Sequence, residues 1–598
     1  MSGQLPLFGG FPLAYDETAP ESSWPRLLEP PPGDDSIDCN PSRVFGPMTV
    51  PYRQILESLR QSFPQPVSDR VHDAYFAFSF LRALDQVDQM KSVRPLLGKP
   101  ETLDYEAARR QRVEARPQTL ESVADRLVSY LSGMFIWGHP CSQSNVVPSP
   151  TIPSIIGGLL PSIYNPNLCS DESSRRVAVA EVEAVSMAAD LVGFDQLQAG
   201  GLFTFGGTGT LLYGVKMGLE KACPGTEQQG VRERAVVVCS EQAHYACASV
   251  AGWLGLGESN VVRIPSTPEN EIRTCLLASE LRRLLKEGHK IAAIVATMGS
   301  TDAFGLDNLE EIREIRDDLV DEFELSYSPH IHADAVIGWA WSVFNDYDFD
   351  RNPLAFPHRT VRALAGTTRR IQHLPLADSL GIDFHKTGFT PYVSSLFLCR
   401  DAEELNLISR EQSTTPYLFQ SGEYHPGTYT LETTRGGSGA MAALANFLLF
   451  GREGLQSLLG HLVTMAEVLR EHLGGHASTT VVNRTNFGPV TLFRVYPDGV
   501  DTFSVLESEQ SDSNHRETLK LHNDYNRRIF EIVHRDALQG QGVVISLTDC
   551  YRETDYGEPI VALKSYVMSP FTEERHVDDV LESVAKAREE LSKEAASP

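Results

Sequence analysis

The sequence predicts an α/β protein whose large domain is built on a mainly parallel sheet. Between residues 200 and 399, short apolar stretches such as 235–239 and 291–296 alternate with helical ones. These stretches are apolar at nearly every position, which is typical of strands buried on both faces of a parallel sheet. A polar residue or a glycine cluster follows each stretch. Because ligands gather at the carboxyl ends of such strands, these residues are candidates for a functional site.

Length and composition restrict the class of protein. A chain of 598 residues is long enough for one large domain with smaller companions. The 52 Lys and Arg residues are outnumbered by 79 Asp and Glu, and the formal net charge of −27 disfavours a nucleic acid or an anionic membrane surface as partner. The nine cysteines form no C-x-x-C pair, so neither a zinc site nor a disulfide framework is expected, and a reducing, cytoplasmic location is predicted. No signal peptide and no membrane span are expected.

Composition and periodicity predict four regions. They are a proline-rich arm over residues 1–50, a helical segment over 51–150 that is expected to contact a partner subunit, a large domain over 151–437, and a smaller α+β domain over 438–598.

Several local predictions accompany these boundaries. Residues 137–167 are rich in Pro, Gly and Asn and are expected to be irregular. Two helices are predicted over 439–450 and 455–473, and the Ser-, Glu- and Asp-rich stretch 501–515 is expected to be a solvated loop.

The candidate functional residues lie at the ends of four predicted strands and at one lysine. The glycine-rich turn 206–210 before a helix can cradle a phosphate, although an ordinary tight turn explains it equally well. His244 and Thr297 follow the next two strands. Asp334, among apolar neighbours, is costly to bury without a cation such as a pyridinium nitrogen, but a helix cap or an arginine partner also explains it. Lys386 follows a short apolar strand, and most lysines are solvated surface cations.

Five motifs occur together in one order along the chain. They are Phe205-Gly206-Gly207-Thr208, Ser240-Glu241-Gln242-Ala243-His244, Ala296-Thr297-Met298-Gly299-Ser300-Thr301, His332-Ala333-Asp334-Ala335 and Asp383-Phe384-His385-Lys386. In these motifs the chain resembles the group II pyridoxal-phosphate-dependent amino acid decarboxylases, the family of aromatic amino acid, glutamate and cysteine sulfinate decarboxylases. The resemblance implies the aminotransferase-like fold type I, with pyridoxal 5'-phosphate as cofactor.

The resemblance also implies a role for each matching position. Lys386 would hold the cofactor as a Schiff base, Asp334 would pair with the ring nitrogen and His244 would stack on the ring. Thr297 and His385 would lie in the cofactor site. Three further residues would lie near the phosphate: Gly207, Thr208 and Asp383. Tyr417, in Thr415-Pro416-Tyr417-Leu418, would protonate the substrate carbon. The implied reaction is α-decarboxylation of an L-amino acid to its amine by a homodimer.

Two further readings remain open. One keeps the cofactor but gives an aldehyde by oxidative decarboxylation and deamination, which Tyr417 disfavours because related plant enzymes that form aldehydes have phenylalanine there. The other is a catalytically silent scaffold, which the joint presence of Lys386, Asp334 and His244 disfavours. The substrate side chain is not predicted, because residues 141–147 lack the aromatic residues that line the pocket of aromatic decarboxylases.

Overall fold

The computed structural model describes residues 51–410 and 420–596. The chain divides into two units at the junction of Asp73 and Ala74. The described part of the first unit, residues 51–73, consists of one helix and the beginning of a second. All other elements belong to the second unit. Among the helices of the described residues, none is both long and apolar enough to span a bilayer.

The strands and helices are numbered in chain order. The strands are β1 Gly200–Thr204, β2 Ala235–Ser240, β3 Val261–Ile264, β4 Lys290–Thr297, β5 His330–Asp334, β6 Ser379–Asp383, β7 Ser395–Cys399, β8 Thr479–Val481, β9 Val490–Val495, β10 Ser546–Glu553 and β11 Pro559–Tyr566. The helices are α1 Pro51–Arg60, α2 Arg70–Met90, α3 Tyr105–Arg109, α4 Leu120–Ser129, α5 Ile152–Tyr164, α6 Asp171–Ser174, α7 Arg176–Val192, α8 Gly207–Ala222, α9 Thr226–Gln229, α10 Ala246–Trp253, α11 Thr274–Lys286, α12 Leu309–Glu322, α13 His358–Ile371, α14 Phe384–Thr387, α15 Ser438–Gly474, α16 Val505–Ser511, α17 Arg516–Leu538 and α18 Glu574–Ala596.

The large sheet is mainly parallel, as the apolar strands predict. Its order is β1-β7-β6-β5-β4-β2-β3, and β7 is antiparallel to both of its neighbours. Strands β2, β4 and β6 are almost entirely buried, and α8 packs across the sheet. Burial on both faces explains why these strands show no alternation of polar and apolar residues.

Strand register brings several candidate residues to one edge of this sheet. Thr297 at the end of β4 pairs with Asp334 at the end of β5, which in turn pairs with Gly381 in β6. Lys386 follows β6 by three residues. The carboxyl ends of three neighbouring strands therefore meet where the motifs lie.

A second sheet, with order β10-β11-β9-β8, is antiparallel and is packed by α15 and α17. Helix α15 contains one non-helical residue, Gly451, with φ 54° and ψ −166°. This break separates the two helices that the sequence predicts over 439–450 and 455–473.

Two local predictions are wrong. Residues 137–167 are not irregular throughout, because they contain the regular helix α5. This helix begins where the Thr151 hydroxyl accepts the Ser154 N–H at 3.1 Å. Pro153 is tolerated in its first turn because first-turn amides need no intrahelical partner. Residues 501–515 contain α16, whose Glu509 is 0% exposed and pairs with Arg494 at 3.3 Å. Arg494, a buried cation that the local sequence does not reveal, draws Glu509 inward.

Candidate active site

Lys386 is positioned by the short helix α14, which directly follows β6. Phe384, 1% exposed, anchors this turn in the core, and the helical spacing brings Lys386 back over Asp383. The Lys386 Nζ atom lies 2.9 Å from Asp383 Oδ2. Asp383 is 1% exposed, and its Oδ1 accepts a hydrogen bond from Ser395 Oγ at 2.6 Å. Asp383 and Ser395 are register partners in β6 and β7, so the antiparallel strand supplies this donor.

Electrostatics keep the Lys386 amine charged. Burial by itself lowers the pKa of Lys386, but the carboxylates of Asp383 and Asp334 outweigh it, and the pKa is raised above its ordinary value. The Lys386 side chain keeps 18% of its surface exposed, whereas that of Asp383 keeps 1%. The site therefore holds an ammonium group on a partly exposed side chain, paired with a buried carboxylate.

His385 packs beside this ion pair. Its Nε2 atom lies 3.5 Å from Asp383 Oδ2, its Nδ1 atom lies 3.1 Å from the Ser394 carbonyl oxygen, and its ring lies 4.4 Å from that of Tyr392. Burial lowers the pKa of His385, while Asp383 opposes the shift. A neutral imidazole in this place leaves the Asp383 charge to Lys386.

Asp334 and His244 complete the charged centre. Desolvation raises the pKa of Asp334, whereas Lys386 and His244 act to lower it. His244 lies in the turn after β2, and its Nδ1 accepts the Ala246 N–H at 3.2 Å, which leaves the proton of the neutral ring on Nε2. Burial lowers the pKa of His244, Asp334 opposes that shift and Lys386 adds to it. A carboxyl group, an imidazole and an ammonium group thus influence one another at this sheet edge.

Thr297 lies at the end of β4 with a hydroxyl group that has no partner. Its backbone N–H donates to Asp307 Oδ2 at 2.7 Å, which fixes the strand end. The Thr297 side chain is buried, and Oγ1 makes no hydrogen bond within the described part of the chain. An unpaired buried hydroxyl is costly, so this donor is available to a ligand.

The glycine-rich turn leads into α8 beside the ion pair. Gly206 has φ 122°, a conformation that favours glycine. A Cβ atom on Gly207 would lie 2.9 Å from Asp383 Oδ2 and 3.1 Å from Val336 Cγ1. The backbone N–H groups of Gly207 and Thr208 have no acceptor among the described residues, as expected for the first turn of a helix. This helix start is open to an anion.

A cavity of about 630 Å³ adjoins His244. The turn after β2, the loop after β4 and strand β10 of the second sheet line it. Asp302 in this lining pairs with Lys564 of β11 at 2.7 Å and accepts the Thr548 hydroxyl at 2.9 Å. The second sheet thereby holds one wall of the cavity in place.

The structure brings most of the predicted residues to one place. Lys386, Asp383 and His385 are in direct contact, Gly207 lies beside Asp383, and Thr297 and Asp334 share a register position. Tyr417 lies outside the described residues.

Sequence reasoning missed Ser395, Tyr392 and Lys564. The first two follow Lys386 in the chain and reach the site only because β7 runs back along β6. Lys564 lies in the second sheet and carries no motif.

Comparison with known proteins assigns the family. The model of the pyridoxal-dependent decarboxylase conserved domain matches residues 102–495, and the chain belongs to this family. The family and cofactor predicted from the sequence are thereby confirmed: the cofactor of this class is pyridoxal phosphate.

Relatives in sequence are named decarboxylases, which supports an enzyme of the carboxy-lyase class. L-2,4-diaminobutyrate decarboxylase of Acinetobacter baumannii is 27% identical over 60% of this chain and 68% of its own length. The enzyme of the same name from Rhizobium meliloti (strain 1021) is 25% identical over 57% of this chain and 64% of its own length. L-tyrosine decarboxylase of Enterococcus faecium is 25% identical over 42% of this chain and 43% of its own length.

Solved structures confirm the fold. The glutamate decarboxylase domain of diaminobutyrate-pyruvate transaminase and L-2,4-diaminobutyrate decarboxylase from Vibrio parahaemolyticus superposes with a TM-score of 0.68 at 17% identity, covering 90% of this chain and 99% of that one. Catharanthus roseus tryptophan decarboxylase in complex with L-tryptophan gives 0.67 at 16% identity, covering 88% and 100%. At these identities the likeness concerns the fold alone.

The described residues fit pyridoxal phosphate. They offer the amine of Lys386, the Asp334 carboxyl group that acts on it, an open helix start for a phosphate, and the unpartnered Thr297 hydroxyl. Each of these groups corresponds to one part of the cofactor: aldehyde, ring nitrogen, phosphate and ring substituent.

Proposed function

We propose that the protein is an L-amino acid α-decarboxylase that releases carbon dioxide and the corresponding amine. The observation that carries this proposal is the 2.9 Å contact between Lys386 Nζ and the buried Asp383, at a sheet edge shared with Asp334 and His244. The decarboxylase names of the relatives in sequence support the same reaction.

Each residue has a proposed role toward the cofactor. Lys386 would hold it covalently through Nζ, and the amides of Gly207 and Thr208 would bind its phosphate. When bound, pyridoxal phosphate accepts the electron pair left on the α-carbon as the carboxylate departs. Asp334, half-buried at the end of β5, would keep the ring nitrogen protonated by charge pairing.

The remaining residues would orient the cofactor or protonate the substrate carbon. His244, neutral and fixed through Nδ1, would stack on the ring face, and Thr297 would donate its hydroxyl beside it. His385 would position Asp383, whose carboxylate lies near the phosphate cradle. Tyr417 would donate the proton that the α-carbon takes up, so that the product is an amine.

We infer a homodimer from the surface of the N-terminal helices. The described side chains of α2 and α4 include none that is buried. Apolar side chains in these helices remain largely exposed, including Phe78 at 64%, Leu81 at 63% and Leu127 at 62%. Apolar surface of this kind is typical of a contact with another chain, and a second copy is the proposed partner.

Two further assignments are proposed on composition and periodicity. We infer a cytoplasmic location from the nine cysteines without a C-x-x-C pair. We also propose that the chain has four regions, with boundaries at residues 50, 150 and 437. The start of α15 at Ser438 supports the last of these boundaries.

Absorbance spectroscopy of the purified protein tests the cofactor assignment. The wild-type protein should absorb at visible wavelengths, and Lys386→Ala should lose this band. Lys386→Arg is the matched control, since it retains the positive charge over Asp383 but cannot form the covalent bond. A visible band that survives in both variants would end the assignment of Lys386.

A further inference from the structure

A second cavity, of about 900 Å³, lies apart from the candidate active site. The start of α13, the last turns of α15, strand β8 and the segments around residues 484–487 and 502–503 line it. It shares no lining residue with the cavity beside His244. Nothing in the proposed reaction uses it.

This cleft is rich in arginine, although the chain carries a net charge of −27. Arg359, Arg362, Arg470 and Arg484 line it, against the two glutamates Glu467 and Glu471. These acids are already engaged: Glu467 pairs with Arg470 at 2.7 Å, and Glu471 pairs with Arg359.

Two of the arginines have no acidic partner. Arg362 and Arg484 form no ion pair within the described residues, and Arg484 donates from Nε to the Val481 carbonyl at 3.0 Å. Both side chains are exposed toward the cleft. In addition, the Nε atoms of Arg359 and Arg470 are buried without a hydrogen-bond partner in the described chain. The guanidinium groups of Arg362 and Arg484, exposed and without an acidic partner, can donate to an anion in the cleft.

Backbone donors point to the same chemistry. Helix α13 has 14 residues and begins after Pro357 without a side-chain cap. Its first intrahelical donor is Val361, which bonds to the Pro357 carbonyl at 3.0 Å, so the three preceding amides have no acceptor within the described residues. Pro357, His358 and Arg359 line the cleft, and the helix start therefore adds uncapped N–H groups to the arginines.

An aromatic side chain stands at the rim. Phe503 is 88% exposed. Phe503 and Phe487 both line this cleft. Aromatic faces stack with the planar bases of nucleotides, and arginines bind their phosphates through paired N–H donors.

We propose that this cleft binds a phosphate-bearing anion, and that its occupant is a nucleotide whose phosphates meet Arg362, Arg484 and the start of α13 while its base stacks on Phe503. The site is separate from the cofactor's phosphate cradle.

Isothermal titration calorimetry of the full-length holoenzyme tests this site. ATP and inorganic phosphate are titrated separately, with visible absorbance recorded to show that the cofactor stays bound. In the double variant Arg362→Ala/Arg484→Ala the dissociation constant for ATP should rise at least about tenfold, because each charged hydrogen bond to phosphate is lost. Arg232→Ala, an exposed arginine elsewhere without an ion pair, is the matched control and should bind ATP as the wild type does.

Three outcomes are distinguishable. Binding of ATP that weakens in the double variant and in Phe503→Ala supports the nucleotide site. Inorganic phosphate that binds as tightly as ATP, with no effect of Phe503→Ala, overturns the nucleotide assignment. No binding of ATP at millimolar concentration, or equal binding by wild type and double variant with unchanged thermal unfolding, overturns the site altogether.

Discussion

The replacement Asp383→Asn should make covalent loading of the cofactor easier at neutral pH. Only the unprotonated Lys386 amine can form the bond, and the Asp383 carboxylate at 2.9 Å stabilises the protonated form. The asparagine is nearly isosteric, so it removes the charge while keeping the shape. The rate of loading at a fixed pH below the pKa of Lys386 should therefore rise.

The size of the expected pKa shift follows from the geometry of the Lys386–Asp383 pair. An opposite charge within about 4–6 Å shifts a pKa by about 1–3 units, and this contact is shorter, between a 1% exposed carboxylate and an amine that is 18% exposed. Asp334 still acts on Lys386 in the variant, so the shift is not extreme. The pKa of Lys386 should fall by about 1–3 units, and the free-amine fraction below that pKa should rise by about 10- to 1000-fold.

Stopped-flow absorbance of apoprotein mixed with pyridoxal phosphate measures this shift. The rate of appearance of the visible band is recorded across pH, and the midpoint of the profile reports the pKa of Lys386. Ser395→Ala is the matched control, because it removes the 2.6 Å hydrogen bond to Asp383 but keeps the carboxylate. A midpoint that is the same in wild type and Asp383→Asn would refute the electrostatic reasoning.

Three other predictions concern the site and the fold. Asp334→Asn should lower turnover by about 100-fold or more, since the ring nitrogen loses its ion-pair partner; an unchanged rate of carbon dioxide release would contradict that role. Gly207→Ala should weaken cofactor binding by about tenfold in a fluorescence titration, because the new methyl group would lie 2.9 Å from a buried carboxylate oxygen, whereas Gly252→Ala has open space around it and should bind normally. Glu509→Ala should lower the free energy of unfolding in urea by about 3–5 kcal/mol, as it leaves a buried guanidinium unpaired. The exposed neighbour Glu507→Ala should leave that free energy nearly unchanged, and equal losses in both variants would count against the buried pair.

Much of the large domain could be predicted because its strands are buried on both faces. Apolar runs such as 235–239 and 291–296 fall in β2 and β4, and the parallel order places their ends together. The order of the five motifs then indicated which residues share an edge. Local sequence was sufficient here because each motif lies at the carboxyl end of its own strand.

Other parts of the site depend on contacts between distant segments. Ser395 reaches Asp383 only through the reversal of β7, and Lys564 reaches Asp302 from a different sheet. The same limitation made residues 501–515 look solvated, since Glu509 is drawn inward by Arg494, which lies in β9. Long-range ion pairs leave no periodic signal in the sequence.

Product analysis with purified holoenzyme tests the central proposal most directly. Carbon dioxide, the amine, ammonia and peroxide are measured across the common L-amino acids and L-2,4-diaminobutyrate, with Lys386→Ala as the control. We predict that at least one substrate gives carbon dioxide and amine in equal amounts, and that the variant gives neither. Ammonia and peroxide in place of the amine, or equal carbon dioxide release by Lys386→Ala, would contradict α-decarboxylation through Lys386.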